Sequence, residues 1–221
     1  MVSNLRKKHT QRNVSGFAFS EGVLHSGRVY RTSEFAAWTS NPARLVDTLE
    51  ERGVLRRLAH GLYMRVDRTK FGGVRRADDD ELLRAFLADD NFIVTGSEVW
   101  NALGLGAKAV LAVPFVYNHL RTGEVTIDGR RFVFRRCKFP RQPSPEWFAV
   151  DLLENHETAQ LGLDDASTAL VRALKLGRFD PGRLARVAAD YGSADTLRLV
   201  LKVLSTANLM EQAGLGVVAP Q

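Results

Sequence analysis

The segment YRTSEFAAWTSNPARLVDTLEERGVLRRLAHGLYMR, from Tyr30 to Arg65, decides the fold of the first third of this chain. Phe35 and Trp38 lie three residues apart, which predicts a short helix with one apolar side. The three polar residues at positions 39–41 then predict a tight turn. The segment therefore begins with a short helix that is followed by a turn.

A second helix is predicted from about Pro42 to Arg52. Asn41 is a good N-cap, and proline suits the first helical position because the N–H that it lacks would be unpaired there. Leu45 and Leu49 lie four residues apart and form the inner side of this helix. Gly53 ends it, since glycine adopts the left-handed conformation at little cost.

A basic hairpin is predicted next, with strands over Val54–Leu58 and Leu62–Val66. The connection at residues 59–61 contains Gly61, which suits a tight turn between two strands. A helix, a turn, a second helix and a hairpin follow one another in the order of a winged helix-turn-helix. Such a unit presents one helix and one wing to a DNA duplex.

Candidate DNA contacts follow from this geometry, because the start of the second helix reaches base edges in the major groove. Arginine there can donate two hydrogen bonds to guanine, and hydroxyls and helix-start amides suit phosphate oxygens. The predicted contacts are Thr39, Ser40, Asn41, Arg44 and Thr48 in the turn and helix, Arg56, Arg57, His60 and Arg65 in the wing, and Arg6, Lys7 and Lys8 in a basic N-terminal arm. Neighbouring strand residues point to opposite faces, so Arg56 and Arg57 cannot both touch one DNA backbone from a regular strand.

The distribution of charge agrees with a polyanion binder. Residues 1–76 hold 15 Lys and Arg against 6 Asp and Glu, whereas residues 77–221 hold 16 against 19. The net positive charge of +6 therefore arises in the segment with the helix-turn-helix pattern. A generally basic composition would not explain this asymmetry.

The chain of 221 residues is long enough for two small domains, and its hydrophobic content of 45% supports a packed core. We predict an α+β protein: a winged helix-turn-helix domain over residues 1–76, then a mixed α/β domain over 77–221 that is helical from about residue 145. Strands are expected at Phe92–Thr95, Ala109–Tyr117, Glu124–Ile127 and Arg130–Phe134, with a hairpin turn at Asp128-Gly129. Helices are expected at Asp78–Ala88, Ser97–Leu103, Pro145–His156, Asp164–Leu176, Pro181–Tyr191 and Ala194–Gln212.

Several classes of protein are excluded or disfavoured. No apolar run approaches the roughly 18–20 residues of a membrane span, and no apolar region follows the basic start, so a cytoplasmic protein is expected. The histidines lie far apart, which disfavours a metal site. Cys137 is the only cysteine. Its cationic neighbours favour the thiolate, but a lone cysteine at a strand end is typically inert.

The quoted segment resembles the N-terminal winged helix of AbiEi-type antitoxins from bacterial type IV toxin–antitoxin (abortive infection) systems. The phrase ERGVLRRLAHGLY carries most of the likeness. FIVTGSEVWNALGLG and the hairpin VTIDGRRFVF are similar to the start of the second domain of that family, so the resemblance covers about residues 28–139. The chain departs from the family in its first helix, around Val14–Leu24, which glycines interrupt.

The resemblance implies a function. Such antitoxins repress their own operon by binding inverted repeats in the promoter, and their C-terminal domain neutralises a nucleotidyltransferase-like toxin, typically without a stable complex. It implies DNA contacts at Ser40, Asn41, Arg44, Thr48, Arg56, Arg57 and His60, with no cofactor.

Three alternatives remain open. The chain can instead be a winged-helix module that binds proteins, or an unrelated transcriptional regulator without antitoxin activity, since fold alone does not determine function. Gly96-Ser97 also invites comparison with nucleotidyltransferases, but that chemistry needs paired carboxylates for Mg²⁺, and the sequence continues Glu98-Val99-Trp100 without them. Ser97 is better interpreted as a helix cap, and we expect no enzymatic activity.

Overall fold

The computed structural model describes residues 19–67, 70, 72–107, 113–209, 212 and 214. It is an α+β structure in which contacts define two compact units, Met1–Ala88 and Asp89–Gln221. The helices are α1 (Pro42–Glu51), α2 (Asp79–Leu87), α3 (Ser97–Ala102), α4 (Pro145–Glu154), α5 (Leu163–Lys175), α6 (Pro181–Tyr191) and α7 (Ala194–Thr206). The strands are β1 (Val29–Arg31), β2 (Leu55–Ala59), β3 (Leu62–Arg65), β4 (Ile93–Thr95), β5 (Phe115–Asn118), β6 (Gly123–Ile127) and β7 (Arg130–Arg136).

The first unit contains a three-stranded antiparallel sheet with strand order β1-β3-β2. The predicted hairpin forms, with Gly61 at φ 73° in its turn. The register shifts between Arg57 and Ala59, so Leu58 forms a bulge in β2. One face of the sheet packs on the helices, and this core comprises Leu24, Tyr30, Phe35, Val46, Leu49, Leu55 and Tyr63.

Both predicted helices of the opening segment are present, but the first is a 3₁₀ helix, Thr32–Ala37. The tighter 3₁₀ winding is common in short helical pieces. The amide of Arg31 donates to Glu34 Oε1 at 2.8 Å at its start. Helix α1 begins as predicted, because Asn41 Oδ1 accepts from the Arg44 amide at 3.2 Å, and Gly53 follows its end at φ 69°.

Helix α2 belongs to the first unit, so the division falls after Ala88 and not between residues 76 and 77, where the sequence placed it. Asp78 caps this helix by accepting from the amides of Asp80 and Glu81. Glu81 Oε1 in turn accepts from the Val29 amide at 3.4 Å, which ties α2 to β1. Of the residues expected to form the interrupted first helix, those up to residue 18 lie outside the described part, and Glu21–Val23 form a 3₁₀ turn.

The second unit contains a four-stranded mixed sheet with order β4-β5-β7-β6. Strands β6 and β7 form the predicted hairpin, with Asp128 at φ 51° and Gly129 at φ 73°, as a type I′ turn requires. Strand β5 pairs with β7 in parallel, a crossover that the sequence analysis did not predict. Of the strand expected at Ala109–Tyr117, residues 108–112 lie outside the described part and Phe115–Asn118 form β5.

Helices α4 to α7 form the helical end of this unit, and Trp147, Leu152, Leu170, Leu184 and Leu204 lie in its core. Two predictions of detail were wrong. Helix α7 ends at Thr206, short of Gln212, and α3 is capped by Gly96, whose φ of 141° only glycine adopts easily, while Ser97 is its first residue. Within the described residues, no helix combines the length and the apolar character needed to cross a membrane.

Candidate functional site

The helix-start surface, which we define as Thr39, Ser40, Asn41, Arg44 and Thr48, forms one continuous polar stretch. All are exposed except Thr39, which is half-buried. The Asn41 amide donates to Thr39 Oγ1 at 3.1 Å, and the Thr48 hydroxyl donates to the Arg44 carbonyl at 2.8 Å. The first bond fixes the turn, and the second lies within α1. Together with the bond from the Arg44 amide to Asn41 Oδ1, they occupy the amides of Asn41 and Arg44 and the Thr48 hydroxyl hydrogen, which are then not available to phosphate.

The hairpin of β2 and β3 contributes less free charge than the sequence indicated. Arg57 lies over the Tyr63 ring at 5.4 Å, and its Nη2 is 3.2 Å from Glu50 Oε2 and 3.9 Å from Asp47 Oδ1. Arg57 therefore folds back onto α1 within the first unit. Its exposed side chain, at 47%, must leave these acids before it can contact a phosphate.

The other three residues predicted to contact DNA from the hairpin differ in burial and in the partners that they contact. Arg65 is half-buried, and its Nη1 donates to the Leu24 carbonyl at 2.7 Å. Its guanidinium therefore stabilises the first unit. Arg56 pairs across the strands with Met64, on the opposite face from Arg57, as strand alternation predicts. His60 is exposed at the hairpin turn. Arg6, Lys7 and Lys8 lie outside the described residues.

Helix α1 has a mixed charge on its outward side. Arg44, Asp47, Thr48 and Glu51 are all exposed and follow the helical spacing of three and four residues. The Arg44 side chain makes no ion pair or hydrogen bond within the described residues. The first unit thus offers a single arginine with neighbouring acids at the point where base contacts were expected.

A buried polar cluster in the second unit was missed by the sequence analysis. Asp151 of α4 is 5% exposed. Its Oδ2 accepts from Thr95 Oγ1 at 2.6 Å and Trp100 Nε1 at 2.7 Å. Its Oδ1 accepts from Tyr117 Oη at 2.6 Å and Asn155 Nδ2 at 3.0 Å. The carboxylate thereby joins β4, α3 and β5 to α4. A lone acid inside the apolar run WFAVDLL was the available signal.

Burial dominates the electrostatics of this cluster. Burial raises the pKa of Asp151 above its ordinary value, although its hydrogen bonds and Arg135 act in the opposite direction. Burial and the nearby Asp151 also raise the pKa of Tyr117 and that of the Cys137 thiol. The prediction that Cys137 is inert agrees with this direction, because a raised pKa disfavours the reactive thiolate.

A cleft of ≈ 250 Å³ opens beside the cluster, and Arg135, Cys137, Trp147 and Tyr191 are among the residues that line it. Arg135 Nη1 donates to Asn155 Oδ1 at 2.5 Å, and its guanidinium lies 3.8 Å from the Phe115 ring centre. The polar groups at the base of the cleft thus bind one another. No three acidic, histidine or cysteine side chains of the described residues gather closely enough to hold a metal ion.

No protein-family model matches this chain, and no curated protein does. A similar solved structure is the crystal structure of the RV2827C protein from Mycobacterium tuberculosis, with 15% identity and a TM-score of 0.49. The match covers 84% of this chain and 74% of that one.

Proposed function

We propose that this chain is a DNA-binding transcriptional repressor of the antitoxin type, whose first unit is a winged helix. The order of elements supports this: a short helix (Thr32–Ala37), a turn, α1 and a hairpin, with strand order β1-β3-β2. In a helix-turn-helix unit the second helix enters the major groove. Helix α1 holds that position, and the hairpin that follows it serves as the wing.

The outward side of α1 is the observation that carries the proposal. Arg44 and Thr48 lie one turn apart, both exposed, directly after the exposed turn residues Ser40 and Asn41. The guanidinium of Arg44, which has no acidic partner within the described residues, can donate two hydrogen bonds to a guanine edge. The basic excess of residues 1–76 supplies the longer-range attraction to the duplex.

The direct test is binding of the full chain to the DNA upstream of its own gene, with a random duplex as comparison. About 6 phosphate contacts should give a slope of log affinity against log salt of about −5. Arg44→Ala should weaken binding to the promoter by about 10-fold, and to random duplex by less, because one base contact contributes about 1–3 kcal/mol.

Arg186→Ala is the matched control, since Arg186 is exposed on α6 in the second unit and should leave promoter binding unchanged. A flat response to salt, or equal affinity for promoter and random duplex, would contradict repression through sequence-specific DNA binding.

We further propose that the second unit neutralises a nucleotidyltransferase-like toxin without forming a stable complex. The support is the resemblance of FIVTGSEVWNALGLG and VTIDGRRFVF, which lie at β4–α3 and β6–β7. Co-expression of the full chain with its cognate toxin should restore bacterial growth. The Arg44→Ala variant should restore it equally, because its second unit is intact. If the native chain did not restore growth, the antitoxin role would be contradicted, and the proposed DNA-binding repressor role would not be affected.

The acids on α1 favour a second candidate function, binding of a basic protein surface. Asp47 is 63% exposed beside Arg44, and phosphates would repel it. Asp47→Asn separates the two functions. It should strengthen DNA binding if α1 faces DNA, and weaken binding of a basic protein partner if α1 faces protein.

A further inference from the structure

A buried asparagine builds a rigid turn at the end of β5. Asn118 is 1% exposed. Its Oδ1 accepts from the amides of Leu120 at 2.9 Å and Arg121 at 2.7 Å. Its Nδ2 donates to the carbonyls of Val116 and Arg121, both at 3.1 Å. One side chain thus fixes the path of residues 119–122, which leave the sheet as an exposed turn.

The same turn is fastened to the end of β7. The Cys137 amide donates to the Asn118 carbonyl at 3.2 Å, and the Arg136 amide donates to Thr122 Oγ1 at 3.1 Å. The residues after β7 therefore lie beside the turn. Parallel pairing of β5 with β7, in which Asn118 is opposite Arg136, brings these two chain ends to the same edge of the sheet.

This edge is basic. Residues 135–145, from the end of β7 to the start of α4, contain four Arg and Lys and no acid. Arg136, Lys138 and Arg141 are exposed, and none of them makes an ion pair within the described residues. Lys138 Nζ lies 5.3 Å from the centre of the Tyr191 ring, which positions the ammonium group without neutralising it.

An aromatic pair includes Phe139, which lies between Lys138 and Arg141 in the sequence. The His119 ring stacks on Phe139, with ring centres 4.4 Å apart and planes inclined by 7°. Phe139 is 7% exposed and His119 is exposed, so the histidine is the outer ring of the pair. Its outer face is open to a planar group. We call His119, Arg136, Lys138 and Arg141 the β7-end surface.

We infer that the β7-end surface binds single-stranded nucleic acid. A base stacks on the outer face of His119, and the flanking phosphates contact Arg136, Lys138 and Arg141. Sites of this type combine a cationic track with exposed rings, because every base has a face that can stack. Bases inside a duplex are stacked on one another and present no face to the ring. The inference concerns the second unit and does not depend on the winged helix.

The test is fluorescence anisotropy of the full chain with an unstructured single-stranded RNA, the same sequence as single-stranded DNA, and the corresponding duplex. The triple variant Arg136→Ser, Lys138→Ser, Arg141→Ser should bind single strands at least 10-fold more weakly. Loss of three phosphate contacts should also make the slope against log salt shallower by about 2. The matched control is Arg172→Ser, Lys175→Ser, Arg186→Ser, which removes the same charge from exposed positions on α5 and α6.

Substitutions of His119 distinguish base stacking from the attraction between cations and phosphates. His119→Ala should reduce single-strand affinity by about 5-fold or more, whereas His119→Phe should retain it, since phenylalanine also stacks. Preference for RNA over DNA would support a contact to the 2′-hydroxyl, and equal binding would support stacking and phosphate contacts alone. The inference is overturned if duplex affinity falls as much as single-strand affinity in the triple variant. It is also overturned if the control variant loses as much, or if His119→Phe behaves like His119→Ala.

Discussion

The two units use acidic side chains in opposite ways. In the first unit, Glu50 and Asp47 lie at the surface of α1 and both contact the exposed Arg57. In the second unit, Asp151 is buried and accepts four hydrogen bonds from neutral donors, three of which lie on other elements. Exposed ion pairs contribute about 0–1 kcal/mol, whereas breaking a buried charged network costs about 3–5 kcal/mol. The comparison teaches that the acids of α1 remain exposed to a partner, whereas the buried Asp151 holds elements of the second unit together.

The sharpest test of this contrast is Asp151→Ala. It should lower the free energy of unfolding of the second unit by about 3–5 kcal/mol, because it leaves the donors of Thr95, Trp100 and Tyr117 buried without an acceptor. Urea unfolding followed by tryptophan fluorescence measures the loss. Asp190→Ala, an exposed acid on α6, is the control and should change stability by less than about 0.5 kcal/mol. Equal effects of the two substitutions would contradict the structural role of Asp151.

Asn118→Ala extends the comparison to a neutral group. The variant removes a side chain that is 1% exposed and leaves the Leu120 and Arg121 amides without their acceptor. A loss of about 1–3 kcal/mol in the free energy of unfolding is expected. Asn91→Ala, at an exposed position, is the control. If Asn118→Ala were neutral, the turn at residues 119–122 would not need its buried anchor.

The raised pKa of Asp151 gives a third prediction, with a definite sign. The stability that it contributes is fully present below the pKa of the unfolded chain, about 3.9, and is lost as pH rises through the higher folded pKa. The difference in unfolding free energy between the native chain and Asp151→Asn should therefore narrow with rising pH, by at most about 1.4 kcal/mol per pH unit. A difference that widens with pH would mean that burial is not the dominant influence on this carboxyl group.

Local features of the fold were predictable from sequence, since their causes lie within a few residues. Asn41-Pro42 predicts the start of α1, and Asp128-Gly129 predicts the turn between β6 and β7, where both residues have positive φ. The starts of α4, α6 and α7 were confirmed for the same reason. The α+β architecture follows from these elements.

Non-local features were not predictable. The parallel pairing of β5 with β7 depends on a crossover, which no local pattern encodes. Three donors to Asp151 come from positions 95, 100 and 117, so their convergence follows only from the tertiary fold. The pairing of Arg57 with Glu50 was missed because it joins β2 to α1, and no local pattern encodes how these two elements pack. Among the predicted DNA contacts, helix periodicity predicted which positions of α1 are exposed. It did not predict that Arg65 binds the Leu24 carbonyl or that Arg57 pairs with Glu50.

Glu50→Gln should have the smallest effect on stability, and it tests the role of the exposed acids of α1. Glu50 and Arg57 have side chains that are 35% and 47% exposed, so solvent screens their attraction. Removing the charge should change the free energy of unfolding by less than about 1 kcal/mol. DNA affinity should rise by a few-fold, because Arg57 then leaves α1 more readily and one repulsion toward phosphate disappears. Glu157→Gln, at an exposed position in the second unit, makes the same charge change away from the hairpin and serves as control. An equal rise of DNA affinity in both variants would show an effect of net charge alone. A large loss of stability in Glu50→Gln would mean that the pair of Glu50 and Arg57 holds the hairpin on α1 rather than keeping Arg57 away from DNA.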